Sequence, residues 1–201
     1  MRSPHEHPVF AWFYEALSAR GDRRGDDKMR SRLVGSLTGR VLEVGFGNGL
    51  NFRYYPRGAR VAGIEPDWEM LRRSIPRARS VVAKIDPIAG DGQKLPFRDA
   101  TFDAAVACLV LCTIPDESAA LVEISRVLKP GGKLYFVEHV RAPGRVLAMI
   151  QDMIDPLWSR TFAGCHPNRD TAEALARAGF KIEDLRPSLR GIFVGGCAAL
   201  S

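Results

Sequence analysis

The stretch VLEVGFGNGLNFRYYP, residues 41–56, decides the fold. It begins with a β-rich apolar run and continues into three glycines at alternate positions, Gly45, Gly47 and Gly49. A strand that ends in a glycine-rich bend is typical of open α/β sheets, because a backbone without Cβ atoms can bend sharply and approach a ligand closely. We therefore predict a binding loop directly after the first strand.

Further strand-like runs surround this loop along the chain. They lie at residues 40–45, 60–65, 86–90, 102–111 and 133–140, and helix-compatible stretches separate them. Alternating strands and helices predict a parallel sheet that is covered on both faces. Two final runs, at 180–185 and 191–200, are joined by a short connection, which predicts an antiparallel last strand. The predicted fold class is α/β: a Rossmann-like doubly wound, mostly parallel seven-stranded sheet with an antiparallel last strand and N-terminal helices.

The predicted helices differ in how clearly the sequence defines them. Apolar residues at helical spacing predict two N-terminal helices within residues 1–38, one over 9–17 and one from about residue 26. We place a further helix from Pro76, so that the third strand runs over 86–90 and Asp91 lies at its carboxyl end. Residues 139–170 show no clean periodicity and predict an insertion on the substrate side of the sheet. Asp170 and Gly179 predict the two ends of a short helix over 171–178.

Composition places the chain among ordinary globular domains. Of its 201 residues, 46% are hydrophobic and 26% are charged, which suits one domain over residues 1–201. The longest apolar run, 104–112, is far shorter than the ~20 residues of a membrane-spanning helix. The N-terminus lacks the pattern of a secretory signal, so we predict a cytoplasmic protein, monomeric or homodimeric.

The charge and the cysteines argue against two classes of partner. The net charge is +6, but much of the excess is a mixed-charge segment before residue 40 that predicts a solvated helix face. We therefore expect no nucleic-acid partner. Among the four cysteines there is no CxxC pair, and Cys108, Cys112, Cys165 and His166 match no common zinc-site spacing. We expect reduced thiols and no metal.

The residues around the glycine bend restrict its ligand. A phosphate-binding P-loop needs a Lys and a Ser or Thr after the last glycine, where this chain has Leu50 and Asn51. The third glycine of a dinucleotide motif is also missing. Glu43, just before the bend, disfavours phosphate and suits a cation, and Glu65 ends the second strand where a carboxylate can accept ribose hydroxyls. The sequence therefore predicts an adenosyl compound without phosphates.

These motifs together resemble the class I S-adenosylmethionine (SAM) methyltransferases. LEVGFGNG is similar to their first motif, GIEP to the acidic motif of the second strand and GDGQKLPF to the third-strand motif, while FDAAVACLVLCTIPD and RVLKPGGKLYFVEH resemble the fourth and fifth segments. The resemblance covers roughly residues 30–200 and implies SAM as cofactor. It implies a set of cofactor-binding residues: Glu43, Gly45, Gly47, Asn48, Gly49, Glu65, Met70, Asp91, Gly92, Gln93 and Cys108.

The resemblance also implies individual roles in cofactor binding. Asp91 would accept from the adenine amino group, and the backbone of Gly92 and Gln93 would meet the ring. Met70 would pack on the adenine, and the carbonyl of Cys108 would meet the methionine ammonium. Nucleic-acid amino-methyltransferases of this fold usually carry an Asn/Asp-Pro-Pro-aromatic run after the fourth strand, where this chain reads CLVLCTIP. A small-molecule acceptor is therefore expected.

The second half of the chain resembles the methyltransferase-like alkyl-thiol methyltransferases, cousins of the ubiquinone/menaquinone C-methyltransferases. The residues that carry this resemblance are Glu138, His139, Asp155, Pro156, Trp158, Phe162, Gly164, Cys165 and Arg169. It implies a thiol acceptor, with a quinone-like carbon or a phospholipid amine as alternatives. Other readings are a SAM-binding regulatory module without turnover and an NAD-dependent oxidoreductase. The chain departs from the eukaryotic thiol group at the N-terminus, where no hydrophobic anchor is present, so we expect no stable membrane anchor.

The expected catalytic group lies at the end of the fifth strand. His139 is a candidate base for an acceptor thiol because an unperturbed imidazole titrates near ~6.5; a purely structural role is the alternative. Glu138 or Asp155 would orient its ring. Trp158 and Phe162 are expected to wall an apolar acceptor pocket or to belong to the core. Arg169 is expected to attract an anionic acceptor or to form a surface ion pair.

Overall fold

A computed structural model describes residues 26–200 of the chain. All strands in this part form one seven-stranded sheet of order β3-β2-β1-β4-β5-β7-β6. The strands are β1 (Gly39–Val44), β2 (Ala59–Glu65), β3 (Lys84–Ala89), β4 (Phe102–Cys108), β5 (Leu128–His139), β6 (Phe180–Ser188) and β7 (Phe193–Leu200). The α-helices are α1 (Asp26–Val34), α2 (Trp68–Ser80), α3 (Glu117–Val127), α4 (Arg145–Thr161) and α5 (Thr171–Arg177). The helix predicted over residues 9–17 lies outside the described residues.

The sheet confirms the predicted topology. Strands β1 to β5 pair in parallel, and β7 runs antiparallel to both of its neighbours, β5 and β6. The strand order reverses between β1 and β4, because β1 pairs with β2 on one side and with β4 on the other. Ligands of open α/β sheets bind outside the carboxyl ends of the strands at such a switch point. The loops after β1 and β4 therefore form the expected binding edge.

Both faces of the sheet are covered by apolar side chains. Leu42 and Val44 of β1 point to one face, where they join a core that includes Leu121 and Ile124 of α3. Val41 points to the opposite face, into a second core that includes Leu33 of α1. Alternate residues of a strand face opposite sides of a sheet, so a strand that is apolar throughout must be buried on both. This explains why β1 reads as a nearly continuous apolar run.

Aspartate side chains begin three of the helices. Asp67 accepts from the amides of Glu69 and Met70 at the start of α2, at 2.8 and 3.2 Å. Asp116 caps α3 through the Ala119 amide, and Asp170 caps α5, as predicted, through the Glu173 amide. An N-cap carboxylate satisfies amides that have no partner within the helix and stabilises it by about 1 kcal/mol. These caps fix where the loops at the carboxyl edge end.

The structure corrects the boundaries around the third strand. Helix α2 begins at Trp68 rather than at Pro76, and Pro76 lies inside it. The Asp67 cap sets the start of the helix, which ends at Ser80 and leaves room for β3 to begin at residue 84 rather than 86. The predicted position of Asp91, just beyond the carboxyl end of this strand, is unchanged.

The segment 139–170 is more regular than the sequence indicates. Most of it is α4, a 17-residue helix that contains Pro156, and only 2 of its residues, Ala148 and Gln151, are buried. Gln151 attaches the helix to its surroundings, since its amide donates to the carbonyls of Val140 and Pro167 and accepts from the Ala142 amide. The apolar residues of α4 lie on the outer face, so the usual inward apolar pattern is missing. None of the helices in the described part of the chain is long and apolar enough to cross a membrane.

The contact between β6 and β7 depends on a glycine. An added Cβ on Gly196 would clash with the backbone carbonyl of Asp184, where the register of the two strands shifts. We expect Gly196→Ala to destabilise the fold by about 1–3 kcal/mol, the usual scale of overpacking. Gly58→Ala is the control, because a Cβ there would meet only the Thr38 side chain at ordinary distance, 3.5 Å. Equal urea midpoints for the two variants would contradict this account.

Candidate functional site

A cavity of about 520 Å³ lies at the carboxyl edge of the sheet. Its wall includes residues from the loops after β1, β2, β3 and β4 and from the end of α4. A volume of this size suits a drug-sized or cofactor-sized ligand. Ten of the residues predicted from the sequence line it: Glu43, Gly45, Gly47, Glu65, Met70, Asp91, Gly92, Gln93, Cys108 and Phe162. Seven others lie outside the lining: Asn48, Gly49, Glu138, His139, Asp155, Trp158 and Arg169.

Each of the three glycines in the bend is needed for a different structural reason. All have positive φ: 62° at Gly45, 57° at Gly47 and 82° at Gly49. A Cβ on Gly45 would clash with Val110, and one on Gly49 would lie 2.6 Å from the ring of Phe52. A Cβ on Gly47 would meet nothing within 4 Å, because this glycine faces the cavity. Gly45 and Gly49 therefore permit internal packing, and Gly47 leaves space for a ligand.

Glu65 connects the second strand to the glycine bend. Its carboxylate accepts from the Gly47 amide at 2.8 Å and from the Asp67 amide at 2.9 Å. The side chain is buried, and burial raises its pKa from 4.5 to about 7, with the two amides acting in the opposite direction. Glu65 thus presents a desolvated carboxyl group at the cavity wall and holds the bend in place.

Glu43 is the centre of a buried polar network. Its carboxylate accepts from Asn51 Nδ2 at 2.7 Å and from the Tyr55 hydroxyl at 3.0 Å, and Arg30 donates to Asn51 Oδ1 at 2.8 Å. Burial raises the pKa of Glu43 to about 7, while its two hydrogen-bond donors and Arg30 lower it. Both Glu43 and Arg30 line the cavity.

Arg30 corrects the interpretation of the basic segment before residue 40. Lys28 and Arg32 are exposed, as a solvated helix face predicts, but Arg30 is buried and reaches the cavity. Its guanidinium also lies 3.5 Å from the Cys108 sulfur. A buried arginine among exposed ones has no signature in composition. The helical spacing that places Arg30 with the inward residues Leu33, Val34 and Leu37 is the signal that could have identified it.

The loop after β3 forms another part of the wall. Asp91 accepts from the Gln93 backbone amide at 2.9 Å and from the Gln93 side-chain amide, whose oxygen accepts from the Asp116 amide at 3.0 Å. An added Cβ on Gly92 would lie 2.8 Å from Val44. Asp91 is exposed and Met70 is buried, so the two predicted adenine contacts offer one polar and one apolar surface to the cavity.

Asn48 lies behind the bend rather than on the cavity wall. Its side chain is fully buried, and neither amide atom has a hydrogen-bond partner among the described residues. Its carbonyl accepts from Arg77 at 2.8 Å. Leaving a buried amide unpaired costs free energy, which a hydrogen bond to a ligand or to water would offset.

Glu138 holds the turn that follows β4. Its carboxylate is fully buried and accepts from the amides of Val110, Leu111 and Cys112 at 3.0, 3.0 and 3.1 Å. Burial raises its pKa to about 7, and the three amides lower it. These bonds end β4 at Cys108, where the sequence predicted continuation to residue 111, and Leu109 takes a positive φ of 58°. The expected role of orienting His139 is therefore replaced by one of positioning this turn.

Arg169 also stabilises the turn after β4, by hydrogen bonds to its carbonyl groups. Its guanidinium donates to the carbonyls of Leu111 and Ile114. Its Nη1 donor is thus directed at backbone oxygens. Burial raises the pKa of the partly buried Glu117, and the positive charge of Arg169 lowers it. The contact of Arg169 with an anionic acceptor stays a prediction.

His139 has different neighbours from those expected. Its Nδ1 lies 3.5 Å from the Cys165 sulfur and 4.0 Å from the Cys112 sulfur. Its ring packs against Phe193 with centroids 4.0 Å apart and meets Trp158 edge-on. Asp155 pairs instead with His166 Nδ1 at 2.9 Å, so the prediction that Asp155 orients His139 is wrong.

The two aromatic residues at the end of α4 occupy different layers. Phe162 lines the cavity, and Trp158 packs behind it with ring centroids 4.2 Å apart. The outer face of the same helix exposes large apolar side chains that the sequence analysis did not identify: Val146, Met149, Ile150, Met153, Ile154 and Leu157. This apolar face of α4 is larger than the scattered exposed residues of an ordinary surface.

The buried carboxylates produce a pH dependence of stability. The folded-state pKa of Glu43, about 7, exceeds its unfolded value of 4.5, so between these pH values the folded state binds more protons. The free energy of unfolding contributed by this group therefore falls as pH rises, by about 2 kcal/mol from pH 5 to pH 8. We expect urea unfolding of Glu43→Gln to lose this part of the pH dependence. The exposed Glu173→Gln is the control, and an unchanged profile for Glu43→Gln would refute the assignment.

Comparison with known proteins agrees with this architecture. Residues 42–136 match the family described as a methyltransferase domain. Thiol S-methyltransferase TMT1A of Homo sapiens is 38% identical over 144 residues, which are 70% of this chain and 59% of that protein. Thiol S-methyltransferase TMT1B of Homo sapiens is 32% identical over 200 residues, which are 92% of this chain and 82% of that protein.

A solved structure gives the same result for the fold. The SAM-dependent methyltransferase TM1293 of Thermotoga maritima superposes with a TM-score of 0.70, covers 96% of this chain and 98% of its own, and is 20% identical. At this identity the likeness shows the fold alone, and the family follows from the sequence relatives. The chain belongs to the methyltransferase family that includes these thiol S-methyltransferases, and it is a SAM-dependent methyltransferase.

Proposed function

We propose that this chain transfers the methyl group of SAM to a small-molecule thiol. The observation that carries the proposal is the cavity in which the buried Glu65 carboxylate, tied to the Gly47 amide, faces an open glycine bend. The names of the relatives support the choice of a thiol, since TMT1A and TMT1B are both thiol S-methyltransferases. The cofactor half of the proposal and the acceptor half rest on different residues.

The cavity wall fits a phosphate-free adenosyl cofactor. Glu43 and Glu65 place two carboxyl groups beside the bend against the single guanidinium of Arg30, and this excess of acidic groups opposes a phosphate and suits a cationic ligand. We assign the ribose hydroxyls to Glu65, the adenine to Met70, Asp91, Gly92 and Gln93, and the methionine end to the bend and the Cys108 carbonyl. Gly45, Asn48 and Gly49 are assigned to shaping the bend, because a side chain or a changed amide there would disturb its backbone.

The chain itself contributes to methyl transfer by positioning the donor and the acceptor. When bound, SAM supplies an electrophilic methyl group on a sulfonium, and the displacement is in line, so alignment and exclusion of water govern the rate. The turn after β4 and the end of α4 close the cavity on the acceptor side, with Phe162 in the wall and Trp158 supporting it. Glu138 and Arg169 hold that wall through backbone contacts.

Acceptor activation is assigned to the neighbourhood of His139. A thiol with a pKa near ~8.5 becomes a good nucleophile once ionised, so a nearby base or positive charge is sufficient. His139 Nδ1 contacts Cys165 at 3.5 Å, which makes His139 part of a cluster rather than an isolated base. Asp155 belongs to the separate pair with His166 and is assigned a structural role.

The apolar face of α4 favours a second candidate, a phospholipid amine acceptor. The helix that exposes this face also supplies Ser159 and Arg160 to the cavity wall. A helix with an exposed apolar face can lie in a lipid interface and present its neighbouring cavity to a lipid headgroup. Thiol and lipid acceptors therefore belong in the same experiment.

The cofactor assignment is tested at Glu65. Glu65→Gln keeps the shape of the side chain but removes the ionised acceptor, and we expect SAM binding to weaken by about 1.5–3 kcal/mol. Isothermal titration calorimetry with SAM measures this directly, and titration with NAD should give no heat. Glu69→Gln is the control, since Glu69 pairs with Arg72 outside the cavity lining. Equal SAM affinities for the two variants would remove Glu65 from the site.

The acceptor assignment is tested by product formation. SAM-loaded protein is incubated separately with alkyl thiols, a quinol, and vesicles that contain phosphatidylethanolamine, and S-adenosylhomocysteine is measured. We expect turnover with thiols at least about tenfold above the other acceptors, because the family relatives act on thiols. Turnover with vesicles alone would favour the lipid acceptor. Background levels with every acceptor, despite SAM binding, would favour a regulatory module.

A further inference from the structure

Three potential metal ligands meet beside the cavity. Cys112, His139 and Cys165 place their ligand atoms within 4.8 Å of one another. They come from three separate segments: the turn after β4, the carboxyl end of β5 and the loop after α4. Thr113 and Gly164, the chain neighbours of the two cysteines, line the cavity. The spacing of these residues along the chain gave no sign of the cluster, because each lies on a different element.

The distances within the cluster suit tetrahedral coordination. The two sulfurs are 3.5 Å apart, and Nδ1 of His139 is 3.5 Å from Cys165 and 4.0 Å from Cys112. With zinc bonds of about 2.3 Å to sulfur and about 2.0 Å to nitrogen, tetrahedral geometry requires about 3.8 Å between sulfurs and about 3.5 Å between sulfur and nitrogen. The cluster could therefore accept the ion with shifts of a few tenths of an ångström.

The surrounding contacts hold the three ligands in place. The Cys112 amide donates to Glu138, and the Cys112 carbonyl accepts from the His166 amide at 2.7 Å. The imidazole lies between Phe193 and Trp158, with Nδ1 directed at the sulfurs. Contacts of this kind orient ligands in protein metal sites and influence metal affinity.

Charge and ligand chemistry select the ion. Two thiolates would be costly to bury alone, but with a divalent cation they form a neutral unit. Thiolate and imidazole ligands in tetrahedral arrangement are typical of zinc. Among the described residues no fourth His, Cys, Asp or Glu ligand joins the cluster. Three protein ligands with one position left over are typical of zinc sites that bind a further small ligand.

We propose that Cys112, Cys165 and His139 bind one zinc ion and leave its fourth position to water or to a thiol. The thiol ligand deepens the proposed function and rests on it: an acceptor R–SH would displace the water, bind as thiolate and release its proton to solvent. Methyl transfer would then form the acceptor S–CH₃ bond and break the sulfonium bond, and the neutral thioether product would leave as a weak ligand. Zinc would in this way replace a general base.

The first experiment measures the metal without cofactor or acceptor. Protein purified with zinc in the medium and then dialysed is analysed for metal by mass spectrometry, and we expect about one zinc per chain. Cys112→Ser and Cys165→Ser should lower zinc content by roughly tenfold or more. Cys197→Ser is the matched control, because Cys197 lies on β7 outside the cluster. Circular dichroism of each variant verifies that it is folded.

The second experiment uses cobalt as a spectroscopic probe and requires no variant. Metal-free protein titrated with Co²⁺ should develop thiolate-to-cobalt charge-transfer absorption and the visible bands of tetrahedral cobalt. An alkyl thiol added without SAM should shift the visible bands, because it enters the coordination sphere. If the visible bands do not shift, the proposal of an open fourth coordination position is wrong.

Three outcomes would overturn the site itself. One is protein that binds neither zinc nor cobalt, and another is zinc content that both serine variants retain. The third is protein purified with zinc in the medium in which mass spectrometry finds Cys112 and Cys165 joined by a disulfide, which would identify a redox pair. Since none of these measurements uses methyl transfer, a failure of the thiol methyltransferase proposal leaves a distinct signature: metal bound, cobalt bands responsive, and no S-adenosylhomocysteine formed.

Discussion

The carboxylate of Glu138 is the constraint on which the turn after β4, and with it the proposed acceptor side of the cavity, depends. It stands near the end of β5 with no exposure to solvent and accepts three consecutive backbone amides of the turn after β4. A buried carboxylate is tolerated only when donors satisfy it, and here the donors are the turn itself. Sheet, turn and cavity wall are thereby joined at one side chain, and loss of that carboxylate would leave three buried amides unpaired.

The proposed cofactor side is also held by buried carboxylates, but here their burial affects the stability of the protein near neutral pH. Glu65 ties the glycine bend to β2, and Glu43 ties β1 to Asn51 and Tyr55. Burial raises the pKa of both groups to about 7, so their ionisation opposes folding near neutral pH. A cationic ligand would offset this cost, because a positive charge nearby favours the ionised carboxylate. Binding of such a ligand would therefore recover the stability that these two residues cost the empty protein.

Local patterns were sufficient to predict the sheet and which residues line the cavity around the glycine bend. The glycine bend directly follows β1, and Glu65 ends the neighbouring parallel strand β2, so their proximity follows from the strand pattern of the sequence. The acceptor side depends on contacts between distant segments: Arg169 with Ile114, His139 with Cys165, and Asp155 with His166. No spacing rule joins residues on different elements, which is why Asp155 was assigned to the wrong histidine. Arg30 was missed for a similar reason, since one buried guanidinium among exposed ones leaves the charge pattern unchanged.

The two sides of the cavity are held in place in different ways, and this difference affects how an acceptor can be selected. The cofactor side is built from strand ends and their immediate loops, whose positions follow from the parallel ladder. The acceptor side is held by side chains that bond to backbone groups of other segments: Glu138, Gln151 and Arg169. The turn and α4 can therefore change in sequence without disturbing the bend, provided that these three contacts and the packing of Val110 against Gly45 persist. Differences in acceptor between chains of this fold should then lie in the residues that these contacts position, above all Phe162 and the cluster of Cys112, His139 and Cys165.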